Sequence, residues 1–122
     1  MKRSFRLARS NDFQRVRRFG RSYAHPLVVL VALPNTIGQT RFGVVAGRAV
    51  GNAVRRNRAK RLLRAVLQPN LAEIAPGWDV ILIARRTMSG STYWQVQAAL
   101  VGLLRRARLL QEHDERKDPK QI

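Results

Sequence analysis

The sequence has no cysteine, which excludes disulfides, thiolate nucleophiles and cysteine-held metals. Acids are almost as scarce: seven Asp and Glu stand against 24 Lys and Arg in 122 residues. No acid lies between Asp12 and Glu73. Only His25, beside Pro26, and His113, near the C-terminus, are histidines, and neither has the acidic neighbours of a catalytic dyad. No GxxxxGK[ST], HExxH or GxSxG pattern occurs. Little material is left for acid–base or nucleophilic chemistry by the chain itself, so no catalytic residue is assigned. Long apolar runs are missing too. The longest, Leu27 to Leu33, is strand-sized, whereas a membrane span needs roughly 18 to 20 residues. The N-terminus, MKRSFRLARS, is basic but lacks the apolar segment of a signal peptide, so a cytoplasmic protein with no membrane partner is expected.

What is abundant is arginine, 20 of the 24 bases. The net charge is +17, and its distribution is sharper than its total. Residues 1–110 hold 21 bases and three acids, Asp12, Glu73 and Asp79, whereas the segment from Gln111 holds Glu112, Asp114, Glu115 and Asp118. Arginine presents a planar fork of donors that matches phosphate and stacks on bases, which lysine does not do. A folded body with this field implies a polyanionic partner, not a small-molecule substrate.

Along the chain, Asn11 is placed to cap a first helix, with Gln14 three residues on and Asp12 at the positive helix end. That helix stops near Phe19, before Gly20, and shows a small apolar face at Phe13 and Val16. SYAHPLVVLVALP reads as a strand, or as two short strands broken at Pro26. TRFGVVAG reads as a further strand paired with it. Asn52 then caps a central helix in which Ala59, Leu62, Leu63, Val66 and Leu67 form one buried face. WDVILIARR is a strand with Val80, Leu82 and Ala84 on one side, Ile81 and Ile83 on the other. Thr92 and Gln95 form a capping box for the last helix, whose stripe is Val96, Ala99, Leu100, Leu103, Leu104 and Ala107. Residues 1–110 read as one RNA-binding domain of α+β class, a two-layer sandwich; residues 111–122 read as a polar tail expected to be disordered.

The central helix carries the strongest signal. Arg55, Arg56, Arg58, Lys60, Arg61 and Arg64 fall within ten positions with no acid among them. At about 100° per residue, Asn57, Lys60, Arg61 and Arg64 share the face opposite the apolar stripe, and Arg58 flanks them. Arg55 and Arg56 fall toward the apolar side, ahead of its main cluster. Asn57 offers donors and an acceptor that suit a ribose hydroxyl, a base edge or a hydrated metal, or it is simply a polar surface residue.

The stretch Gly51 to Arg64, GNAVRRNRAKRLLR, closely resembles the signature of the bacterial ribonuclease P protein subunit. RLARSNDFQRVRRFG, RFGVVAGRAVG and WDVILIARR resemble segments around that signature, so the likeness covers about residues 3–110. It implies the small subunit of a ribonucleoprotein endonuclease that removes the 5′ leader of precursor tRNA, with the chemistry and Mg²⁺ held mainly by the RNA. It also implies a four-stranded sheet and three helices in the order α-β-β-β-α-β-α, with a left-handed β-α-β crossover, the rare exception to the right-handed rule. Carried over by position, Arg55, Arg56, Asn57, Arg58, Lys60, Arg61 and Arg64 would meet the catalytic RNA. Phe13, Arg17, Val31, Arg48, Arg85 and Arg86 would line a cleft for the leader.

Three of those positions depart from the family pattern. Arg17 stands where a second aromatic is usual, Val31 where tyrosine is frequent, and Arg48 with Ala49 where two lysines are usual. The cleft then has less base stacking and more guanidinium. Phe19, Tyr23 and Phe42 are the aromatics left to compensate, Phe42 being better suited to the core. On composition alone, a basic ribosomal or RNA-assembly protein or a nucleoid-type DNA binder would look the same; only the signature separates them.

Overall fold

The structure, a computed structural model, describes residues 6–111. The expected polar tail begins at Gln111, whose amide donates to Glu73 O at 2.7 Å; residues 112–122, with His113, lie outside the described residues. The elements are α1 (Ser10–Phe19), β1 (Arg21–Ala24), β2 (Val28–Pro34), β3 (Arg41–Ala46), α2 (Ala53–Leu67), β4 (Trp78–Ala84) and α3 (Tyr93–Arg106). The apolar run after Gly20 is two strands, with His25 and Pro26 in the break. There the Leu27 amide donates to His25 Nδ1 at 3.0 Å, so this histidine serves a turn.

The four strands form one sheet in the order β1-β2-β4-β3. β1, β2 and β4 are antiparallel neighbours, and β3 runs parallel to β4. The expected pairing of the third strand with the second does not occur, because β4 lies between them. β4 is apolar in both phases, the pattern of a strand covered on both faces. Its one charged residue, Asp79, stands opposite Arg41 of β3, an ion pair that sets the register. Since β3 and β4 are parallel neighbours, α2 is their crossover.

Alternation along the strands divides the interior into two cores. Val28, Leu30, Ala32, Phe42, Val80, Leu82 and Ala84 pack against Ala59, Leu63, Val66 and Leu67 of α2 and Val96, Leu100, Leu103 and Leu104 of α3. This sheet and helix layer is the expected sandwich, and both predicted helical stripes are buried in it except Leu62 and Ala107, which are half-buried at its margin. On the far face Leu7, Val16, Val31 and Ile81 make a smaller core under α1, with Phe13, Val29, Val45 and Ile83 at its margin. Burying such side chains contributes about 1.5–3 kcal/mol each.

The caps follow the sequence except at α1. Asn52 Oδ1 accepts from the Arg55 amide at 3.0 Å, and Thr92 and Gln95 complete a capping box. α1 instead starts at Ser10, with Arg9 as its N-cap and no side-chain cap. Asn11 is exposed inside the helix, and Asp12 turns to arginines.

Candidate nucleic-acid interface

The cationic face of α2 is built by burying its other side. Ala59, Leu63, Val66 and Leu67 face the sheet, which turns Asn57, Arg58 and Arg61 to solvent and leaves Lys60 and Arg64 half-buried at the flanks. Gly51 makes the entry turn with φ at 138°, a conformation that L side chains rarely adopt. Arg56 Nη1 donates to Gly51 O at 3.3 Å, and Arg58 Nη2 approaches Ser91 O at 3.5 Å. Among the described residues, no carboxylate pairs with any α2 cation. The first turn of α2 holds no acid and carries Arg55 and Arg56 at the positive helix end. Both arrangements cost stability in the free protein.

The opposite use of arginine appears under α1, and the sequence reading missed it. Asp79 is fully buried, and four donors converge on it. Arg41 donates through Nε at 2.9 Å and Nη2 at 2.8 Å, Arg15 Nη2 at 2.6 Å, and Asn35 Nδ2 at 2.9 Å. Asp12 adds ion pairs to Arg15 at 3.4 Å and Arg41 at 3.6 Å. Burial alone would raise the Asp79 pKa. The bonds from Arg41, Asn35 and Arg15 outweigh it and leave the carboxyl below its ordinary range. Hydrogen bonding to Asp79 raises the pKa of Arg15 and Arg41 in return. The clamp ties α1 to β3 and β4. One signal was available: Asp79 falls in phase with Ile81 and Ile83, so its side chain enters the smaller core.

With α1 held there, its other flank lies against the half-exposed part of the sheet. Phe13 and Arg17 lie on the side of the helix opposite Asp12 and Arg15. They overlook a half-exposed row across three strands, Val29, Ile83 and Val45, which are register partners. The Phe13 ring sits on Gly43; a Cβ there would come within 2.4 Å of Phe13 Cζ. Val31 is only 6% exposed, packed beneath α1, so it forms floor and presents almost no surface to a ligand. Arg48, Arg85 and Arg86 are exposed just beyond the ends of β3 and β4, where the short turns Arg48–Val50 and Arg86–Met88 pack together. Arg85 Nη1 donates to His25 O at 3.4 Å. The start of α2 follows the Arg48–Val50 turn directly, so these arginines adjoin α2. Phe42 belongs to the core, as expected, while Phe19 and Tyr23 line a separate hollow away from Phe13.

The residues fit no protein-held metal cage. Among the described residues no three His, Asp or Glu side chains gather, and arginines occupy Asp12 and Asp79. No described helix is long and apolar enough to cross a membrane.

A mixed four-stranded sheet with an uncompensated arginine helix defines a basic α+β domain suited to a polyanion. Comparison with known proteins makes this particular. The Ribonuclease P family model matches residues 1–108, and the chain belongs to that family. It is 42% identical over 115 residues to the ribonuclease P protein component of Herpetosiphon aurantiacus, covering 94% of each chain. The Natranaerobius thermophilus component is 39% identical over 88% of this chain and 93% of its own. The solved ribonuclease P protein of Staphylococcus aureus superposes with a TM-score of 0.79 at 31% identity, over 87% of this chain and 97% of that one. The Thermotoga maritima protein gives 0.75 at 31%, over 83% and 96%. The chain is thus a protein component of a tRNA-processing ribonucleoprotein endoribonuclease with an RNA partner, and the reading as a general RNA-assembly protein is not favoured.

Proposed function

We propose that the α2 face docks on the catalytic RNA of ribonuclease P and that the α1 cleft holds the 5′ leader of precursor tRNA. The observation that carries this is the set of α2 cations with no carboxylate partner. Each guanidinium that meets a phosphate releases condensed counterions and removes a repulsion within the protein. Arg56, Arg58, Arg61 and Arg64 contact RNA phosphates, and Asn57 reads a hydroxyl or base edge between them. In the cleft Phe13 offers a ring for an unpaired leader base, Arg17 a guanidinium plane beside it, and Arg48, Arg85 and Arg86 meet leader phosphates.

Among the described residues no three His, Asp or Glu side chains gather, and we assign bond cleavage to the RNA and the Mg²⁺ it holds. The protein's part is positioning and charge neutralisation. Cations delivered on a folded surface replace ions that would otherwise screen RNA against RNA, so the requirement for free Mg²⁺ falls. The test is reconstitution with the cognate ribonuclease P RNA at low Mg²⁺, reading precursor cleavage. Stimulation that fades as Mg²⁺ rises is expected. No stimulation at any Mg²⁺ concentration, or tighter binding to random duplex DNA than to the RNA, overturns the proposal.

A further inference from the structure

The end of the sheet away from Arg85 carries a second basic and aromatic feature. An open cleft of about 560 Å³ lies between the end of α3 and the ends of β1, β2 and β4. That is within the roughly 300–1,000 Å³ of small-ligand sites. Phe19, Tyr23 and Trp78 supply its aromatic walls, Arg21, Arg106 and Arg108 its charge, and among the described residues no acid lines it. β4 separates it from Arg85 by about 20 Å at strand spacing, so one nucleotide cannot occupy both sites.

Three details show a surface shaped for a ligand. Phe19 is 66% exposed at the end of α1. Arg106 is fixed in place: its guanidinium carbon lies 5.9 Å from the Tyr23 ring centroid, and Nη1 donates to Ala24 O at 2.9 Å. Arg108 has φ of 59°, the left-handed conformation that glycine adopts at helix ends without strain. An arginine held there against its backbone preference places a cation on the cleft.

We propose that this cleft binds one unpaired nucleotide of single-stranded RNA, its base against Phe19 and Trp78 and its phosphate on Arg21 and Arg108. Aromatic faces stack on any base, and arginine forks match phosphate. An acidic peptide would satisfy the arginines but leave the rings unused.

The test reads Trp78 directly. Trp94→Phe removes the other tryptophan, which is exposed on α3. Hexa-adenylate should then quench Trp78 fluorescence with saturation, whereas an abasic ribose-phosphate hexamer and hexaglutamate should not. In that background Phe19→Ala and Arg21→Ala should weaken binding about tenfold. Arg108→Gly should weaken binding about fivefold while raising the melting temperature, because glycine relieves the left-handed backbone. Opposite signs rule out misfolding as the cause. No quenching, equal quenching by the abasic or peptide probes, or full affinity in Phe19→Ala and Arg108→Gly would overturn the proposal. A photo-crosslinking aromatic at position 19 then names the strand. Crosslinks to ribonuclease P RNA or to precursor tRNA both support the site, and crosslinks to neither sink it. The quenching assay does not involve α2, so its outcome is independent of the reconstitution.

Discussion

Arginine does two opposite jobs in two regions of this molecule. Under α1, Arg15 and Arg41 surround a buried carboxylate and hold a helix to a sheet. On α2, Arg55, Arg56, Arg58, Arg61 and Arg64 crowd one helix with no counter-charge in the described chain. Two of the three acids in residues 1–110, Asp12 and Asp79, go to the first region. None goes to the second. Arginine is structural in the first region, and the RNA-docking role proposed above falls to the second.

Breaking the clamp should have the largest effect. Asp79→Ala leaves Arg15 and Arg41 with only the longer pairs to Asp12, at 3.4 and 3.6 Å, against their mutual repulsion. A loss of about 3 kcal/mol in denaturant unfolding is expected, the lower end for a broken buried pair because both arginines keep contact with water. The same carboxylate sets the acid limb of stability. Its folded pKa lies below the unfolded value, so its contribution is complete above the ordinary carboxylate range and is lost as pH falls through the folded value. Unfolding free energy measured against pH should fall there, and Asp79→Asn should flatten that fall.

The flank of α1 that carries Phe13 comes next. Phe13→Ala should weaken binding of leader-bearing precursor by about 1–3 kcal/mol and leave mature tRNA unaffected. Equal losses for both substrates would assign Phe13 to packing on Gly43 alone. A smaller effect belongs to α3, where Thr92→Ala removes a capping box and should cost about 1 kcal/mol in thermal unfolding, without changing RNA affinity.

The smallest effect on the free protein is the sharpest contrast. Neutralising Arg56, Arg58 and Arg61 to glutamine should raise the melting temperature by about 2 °C at low salt and by nothing at high salt. Neutralising Arg41 should lower it under both conditions. If the two changes moved stability the same way, the distinction between the two regions would fail.

Much of this fold was legible because local rules agreed. The 3.6-residue stripe of α2, the Thr92 and Gln95 box, and the two phases of β4 each point to one arrangement. Strand order was not legible, since nothing local says that β4 enters between β2 and β3. The break at Pro26 remained open for a similar reason: apolar density reads alike in one strand or two. Asn11 looked like a cap because the rule sees only the helix, while the structure starts the helix at Ser10 and turns Asp12 to Arg15 on the same helix and Arg41 on β3. The α2 side of the site could be read from the letters, because a charged face needs only one helix. The hollow at Phe19, Trp78 and Arg108 could not, since it joins four segments far apart in the chain.

The central claim is that RNA phosphate supplies the anion missing from α2. Its most direct measurement is the salt dependence of affinity for ribonuclease P RNA, compared between the natural chain and Arg56, Arg58 and Arg61 changed together to glutamine. Each lost phosphate contact should lower the slope of log affinity against log salt by roughly 0.7 to 0.9, so the triple change should lower it by about 2 to 3. An unchanged slope would mean that α2 does not touch phosphate.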